Sequence, residues 1–121
     1  MPFQSPAEGV LLPPYRVLDL TGPEGVFCGK LLADYGADVI KVEPPAGDAA
    51  RRRPPFIGDQ PGPERSAYFL YYNTNKRSVT LDLESNDGQS LFKRLAASAD
   101  VLIESCPVGY MKSLGLGFET L

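Results

Sequence analysis

The sequence predicts an α/β fold, a Rossmann-like and mostly parallel sheet built from βα units, and three observations predict it. Short, mostly apolar runs bounded by turn residues recur at 15–20, 38–42, 78–83 and 100–104, as expected of strands buried in a parallel sheet. Residues 25–35 between the first two carry apolar side chains at helical spacing. Strand, helix and strand thus follow within about thirty residues, the length of a βαβ unit with a right-handed crossover.

Residues 1–14 contain Pro2, Pro6, Pro13 and Pro14 and read as a flexible leader, with 15–121 as the structured part. Val17, Leu18 and Leu20 make the first strand, and TGPEG, 21–25, is a turn. In the helix that follows, Phe27, Leu31 and Tyr35 recur one turn apart with Cys28 and Leu32 beside them, and Gly36 suits the C-cap. After the second strand, residues 44–66 hold Pro44, Pro45, Gly47, Pro54, Pro55, Gly58, Pro61, Gly62 and Pro63, too many breakers for a regular element. A stretch of that length in a compact fold is a functional or a disordered loop. Residues 66–75 predict a short helix whose Tyr68, Phe69, Tyr71 and Tyr72 enter the core. Val79, Leu81 and Leu83 share one face of the third strand. Ser85 N-caps a helix with Asp87 in its first turn, and Leu91, Phe92, Leu95 and Ala96 form its buried stripe, running to about Ala99. The fourth strand leads through Pro107 and Gly109 to a short helix at 110–114, and GFETL begins another.

Composition excludes several functions. The chain has 121 residues, a net charge of −3 and no histidine. A Ser-His-Asp or Cys-His triad cannot be assembled from it, nor a mixed His/Cys zinc site, so no metal is expected. The acidic balance offers no broad basic field for nucleic acid or an anionic membrane. Cys28 and Cys106 read as two reduced thiols. The N-terminus has no signal-peptide pattern, and no apolar run approaches the roughly 20 residues of a membrane helix. A soluble, cytoplasmic protein is expected.

The motifs are individually weak. In LTGPEGVFCGK the glycines fall at 22, 25 and 29, so the dinucleotide fingerprint GxGxxG is missing. This argues against a nicotinamide- or flavin-binding domain. The P-loop template fails too: Gly25 to Lys30 is one residue short, and Leu31 takes the hydroxyl position. An ordinary Gly-containing βα turn accounts for the segment, although a helix N-terminus there still offers N–H groups to an anion. Glu43, after the second strand, fits a ribose-binding carboxylate or a surface one. Arg51, Arg52 and Arg53 form the basic cluster, and they read either as solvated charges or as phosphate ligands. Lys76 and Arg77 read equally as edge charges. Cys106 follows the fourth strand with no histidine to activate it, which suits a bystander.

Taken together, RVLDLT, LLADYGADVIKVEPPAGD, NKRSVTLDLES and ADVLIES…GYMKSLGLGFETL resemble, in order and spacing, the N-terminal portion of the family III CoA-transferases, the CaiB/BaiF family. The resemblance runs from about Tyr15 to Leu121. It implies a Rossmann-like large domain of which this chain is an incomplete N-terminal part. It also implies coenzyme A as acyl carrier, an acyl-CoA and a carboxylic acid as partners, and an intertwined homodimer. The implied activity is acyl-CoA:carboxylate CoA transfer through an aspartyl intermediate. The alternatives are a 2-methylacyl-CoA racemase of the same family and a non-catalytic CoA-binding fragment. The family's catalytic aspartate falls beyond Leu121, so no catalytic residue is expected here and the isolated chain should be inactive and poorly soluble. CoA contacts carry over to Glu24 and Gly25, to Pro44, to Leu81, Leu83 and Glu84, and to Ser105 and Cys106. The sequence departs from the family pattern at Glu24–Val26, at Pro44 and in ESCPVG, where Lys112 is the nearest cation. Arg52 and Arg53, with Arg51, are candidates to compensate.

Overall fold

The computed structural model describes residues 11–121 and carries four parallel strands in the order β3-β2-β1-β4. These are β1 (Arg16–Leu20), β2 (Asp38–Glu43), β3 (Arg77–Thr80) and β4 (Val101–Glu104). The longer helices are α1 (Val26–Asp34), α2 (Ala67–Tyr72) and α3 (Asn86–Ala96), and α4 (Tyr110–Ser113) is a single turn. The predicted α/β class is therefore observed. Of the leader, residues 1–10 lie outside the described residues. Leu11 and Leu12 both donate their backbone N–H to the Tyr35 carbonyl.

Alternation along each strand divides the sheet into two chemically different faces. Leu18, Ile40 and Val42 point to α3 and α4, where they pack with Phe92, Met111 and Leu116. Val17 and Val39 point the other way, against Ala33 and Ala37. One alternation further along that second face, apolar residues give way to Asp19, Lys41 and Glu43, all 3% exposed or less. This face becomes polar toward the carboxyl ends of its strands.

That gradient explains where the helical stripe of α1 departs from expectation. Phe27, Leu31 and Tyr35 face outward, and the buried positions are Val26, Gly29 and Ala33. A Cβ on Gly29 would lie 2.5 Å from Asp19 Oδ2 and 3.1 Å from Lys76 Nζ. Only glycine lets the helix close over these groups, so its large side chains turn away. α1 ends as predicted at Gly36, whose φ of 114° sits in a Schellman pair of Gly36 N–H to Ala33 O and Ala37 N–H to Leu32 O.

Other differences have equally local causes. α2 stops at Tyr72 because Asn73 and Thr74 turn their side chains back onto the carbonyls of Phe69, Leu70 and Tyr71. Of its aromatics only Phe69 is buried, while Tyr71 is exposed. β3 ends at Thr80 rather than Leu83 because its partner strand runs through Pro44 to Pro45, and the N–H missing at Pro45 is the one that would have continued the ladder toward β3. Leu81 makes one more bond, to Glu43 O, before Asp82 forms an Asx turn. In α3, Phe92 is fully buried and Leu91 is exposed. The Pro/Gly segment holds two 3-10 turns, Ala49–Arg52 and Ile57–Asp59, the first capped by the Asp48 side chain on Ala50 N–H. At GFETL the amides of Thr120 and Leu121 both bond to Gly117 O, forming a single turn.

Candidate functional site

Because all four strands are parallel, every strand end expected to contact a ligand lies on one edge. The order changes direction between β1 and β4, where ligands settle in open α/β sheets. At that point Gly22 N–H donates to Ser105 Oγ over 2.7 Å, tying the turn after β1 to the turn after β4. Glu24 is exposed in this crevice and Gly25 precedes α1, where a Cβ would stand 2.7 Å from Thr21 Cγ2. Cys106 N–H donates to Glu104 Oε2, and burial, then the Glu104 carboxylate, push the Cys106 thiol above its usual range. That thiol is a poor nucleophile.

Two cavities continue along the edge. One, of about 360 Å³, is lined by Pro44, Leu81, Leu83 and Glu84 together with Tyr110, whose hydroxyl donates to Glu84 Oε1. The other, of about 710 Å³, lies over the ends of β2 and β3 and includes Arg52, Phe56, Ser78 and Thr80. Arg53 instead places its guanidinium 4.6 Å from the Tyr68 ring centroid. Lys112 is exposed on the last turn of α4 and lines neither cavity.

Beneath these openings runs a network of buried charge that the sequence reading missed. Glu43 accepts a two-pronged pair from Arg51, Nε to Oε1 at 2.7 Å and Nη2 to Oε2 at 2.8 Å. It also accepts from Ser78 Oγ and Asp48 N–H. Its carboxylate is fully engaged, which leaves it no free oxygen for a ribose. Arg51 is committed to it and is stacked 3.9 Å from the Phe69 ring, so Arg52 and Arg53 are the exposed members of the cluster. Lys41 Nζ spans Asp48 Oδ2 at 2.8 Å and Thr21 O at 3.2 Å. Lys76 Nζ meets Asp19 Oδ2 at 2.6 Å, Asn73 Oδ1 and Val26 O. Asp19 Oδ1 accepts both the N–H and the hydroxyl of Thr21. Burial pushes the Lys76 ammonium below its usual range, partly offset by Asp19. The available signal was the charge within VLDL and VIKVE, since a charged side chain inside a two-face-buried strand requires a partner.

The Glu43 pair makes stability depend on acid. Burial opposes ionisation of Glu43, but Arg51, Ser78 and the Asp48 amide outweigh it and hold its pKa down to about 2 from 4.5. A carboxylate depressed in the fold stabilises above its unfolded pKa and loses that contribution as pH falls through its folded pKa. Chemical denaturation should therefore show stability falling between about pH 4.5 and 2, by on the order of 3 kcal/mol from this group. An Arg51→Met variant should start less stable and lose most of that slope, and an unchanged slope would contradict the assignment.

Among the described residues there is no cluster of three or more metal-ligating side chains, and no helix is long and apolar enough to cross a membrane.

Residues 12–121 match the sequence profile of CoA-transferase family III. The chain is 48% identical over 107 residues to the succinyl-CoA:(R)-benzylsuccinate CoA-transferase subunit BbsE of Thauera aromatica, covering 88% of this chain and 26% of that protein. It is 40% identical to the human succinyl-CoA:glutarate CoA-transferase, covering 96% of this chain and 25% of that protein. A crystal structure of a CAIB/BAIF family protein from Brucella suis superposes with a TM-score of 0.79 at 43% identity, covering 88% of this chain and 28% of that one. The chain thus spans about a quarter of the length of these relatives.

Proposed function

Because this chain belongs to CoA-transferase family III, we propose that its strand ends hold the CoA portion of an acyl-CoA while CoA passes to a carboxylic acid. The observation that carries the reading is the distribution of charge along one edge. Arg52 lines the larger cavity at the β2–β3 end, where Arg51 is paired with Glu43 and Glu64, while Arg53 stands against Tyr68, and Glu24 and Glu104 stand at the β1–β4 end. A phosphate-bearing carrier meets an exposed guanidinium at the first end and two exposed carboxylates at the second. The nucleotide phosphates are therefore read at Arg52, with Arg53 as a further candidate, and the pantetheine arm runs past Pro44, Leu81, Leu83 and Glu84 toward Gly25, Ser105 and Cys106.

The whole enzyme is read as an acyl-CoA:carboxylate CoA-transferase, active as a homodimer and cytoplasmic. An aspartate outside this chain attacks the thioester carbonyl and expels the CoA thiolate. The thiolate then attacks the resulting anhydride at the aspartyl carbonyl, releasing the donor acid and leaving an aspartyl-CoA thioester. Consistent with an external nucleophile, Asp19 and Asp48 are tied to Lys76 and Lys41, and Asp34 and Asp38 to Lys30 and Arg77. Residues 15–121 are accordingly read as the N-terminal part of the large domain. The names of the relatives make succinyl-CoA the first donor to try.

Calorimetric titration tests the binding step. Arg52→Glu/Arg53→Glu is expected to weaken CoA by at least about tenfold, since each charge-assisted contact contributes roughly 1.5 kcal/mol or more. Both side chains are exposed, so the fold should be retained. Unchanged affinity would remove the arginines from the site. No binding by the unaltered protein would remove the CoA reading. Racemisation of a 2-methylacyl-CoA without CoA transfer would favour the racemase branch.

A further inference from the structure

Lys41 has 2% of its side chain exposed, and its ammonium contacts two segments that flank the edge. One contact is the carbonyl of Thr21, the residue before the turn that carries Gly22, Glu24 and Gly25. The other is the carboxylate of Asp48, whose second oxygen caps the 3-10 turn bearing Arg51 and Arg52. A buried ammonium is expensive unless it is paired and hydrogen-bonded, so both contacts are held firmly. The apolar body of a lysine in a buried strand needs no such charge: a methionine would fill similar space.

From this placement we infer that Lys41 is a positioning residue that sets the distance between the arginine-bearing turn and the turn after β1. It touches no ligand. It acts through Asp48 on where Arg52 presents its guanidinium, and through Thr21 on the opposite wall. The inference rests on the CoA reading given above. Its consequence is selective: the part of the ligand that depends on Arg52, a terminal phosphate, is misplaced when Lys41 is neutralised, whereas a purely structural lysine would weaken all parts of the ligand alike.

The experiment compares CoA with dephospho-CoA, which lacks the 3′-phosphate, by calorimetry on the unaltered protein, Lys41→Met and Asp48→Asn, with thermal melting of each. The unaltered protein is expected to prefer CoA. Lys41→Met should lose about tenfold in CoA affinity, as expected for a displacement of a fraction of an ångström or more, and the ratio of the two affinities should move toward one. Asp48→Asn keeps the cap on Ala50 and removes the charge that Lys41 meets, so it should shift the ratio the same way by a smaller factor, and it serves if Lys41→Met does not fold. A ratio unchanged in every folded variant, even with a lower melting temperature, overturns the positioning role and leaves CoA binding intact. A failure of the unaltered protein to bind either ligand overturns the CoA reading itself, and the positioning role with it.

Discussion

Replacing Lys76 with methionine is expected to destabilise the fold by about 3–5 kcal/mol, the cost of leaving a buried charge without its partner. Asp19 is fully buried and its Oδ2 lies 2.6 Å from the Lys76 ammonium, whose side chain is 1% exposed. No rearrangement of a surface side chain can replace that contact, because α1 covers the pair through Gly29. Total stability of a small domain is only about 5–15 kcal/mol, so the variant should melt far lower or fail to fold. Asp19→Asn combined with Lys76→Met should recover part of the loss, since removing both charges avoids the unpaired one. Denaturant unfolding of the single and double variants checks this. A double variant less stable than Lys76→Met would contradict the explanation.

Gly88→Ala is the second large effect. A Cβ there would fall 1.8 Å from the Asp82 carbonyl oxygen and 2.5 Å from its carbon. Both are backbone atoms, so the obstacle cannot rotate away, and the helix or the 81–84 segment must move. The expected loss is about 2 kcal/mol or more, although alanine is intrinsically the better helix former. The displaced segment includes Leu81, Leu83 and Glu84, so CoA binding should weaken along with stability. Thermal melting and CoA titration of the same variant read both consequences. A variant as stable as the unaltered protein would show that the close approach is absent in solution.

How much was legible in the sequence follows from what each residue reports. The four strands and the helices between them were visible because apolar runs and turn residues repeat at the right lengths. Parallel pairing then placed Gly25, Pro44, Leu81 and Ser105 on one edge without further information. The orientation of α1 was not legible. Periodicity marks Phe27, Leu31 and Tyr35 as a stripe, but the sheet beneath is charged and close, so the small residues turn inward instead. The division of labour among the three arginines was equally hidden. Neighbours in sequence separate in space into a buried pair with Glu43, an exposed cavity group and a partner for Tyr68. The same holds for Lys76, whose neighbour Arg77 is the exposed edge charge that both were read to be.

The most direct test of the shared binding edge is backbone amide chemical-shift mapping during a CoA titration. Saturable shifts should cluster at Gly22–Gly25, at 46–53, at 81–85 and at 105–106, leaving Arg16, Asp38 and Val101 at the opposite strand ends unmoved. Shifts confined to those opposite ends, or the absence of any saturable shift, would contradict it.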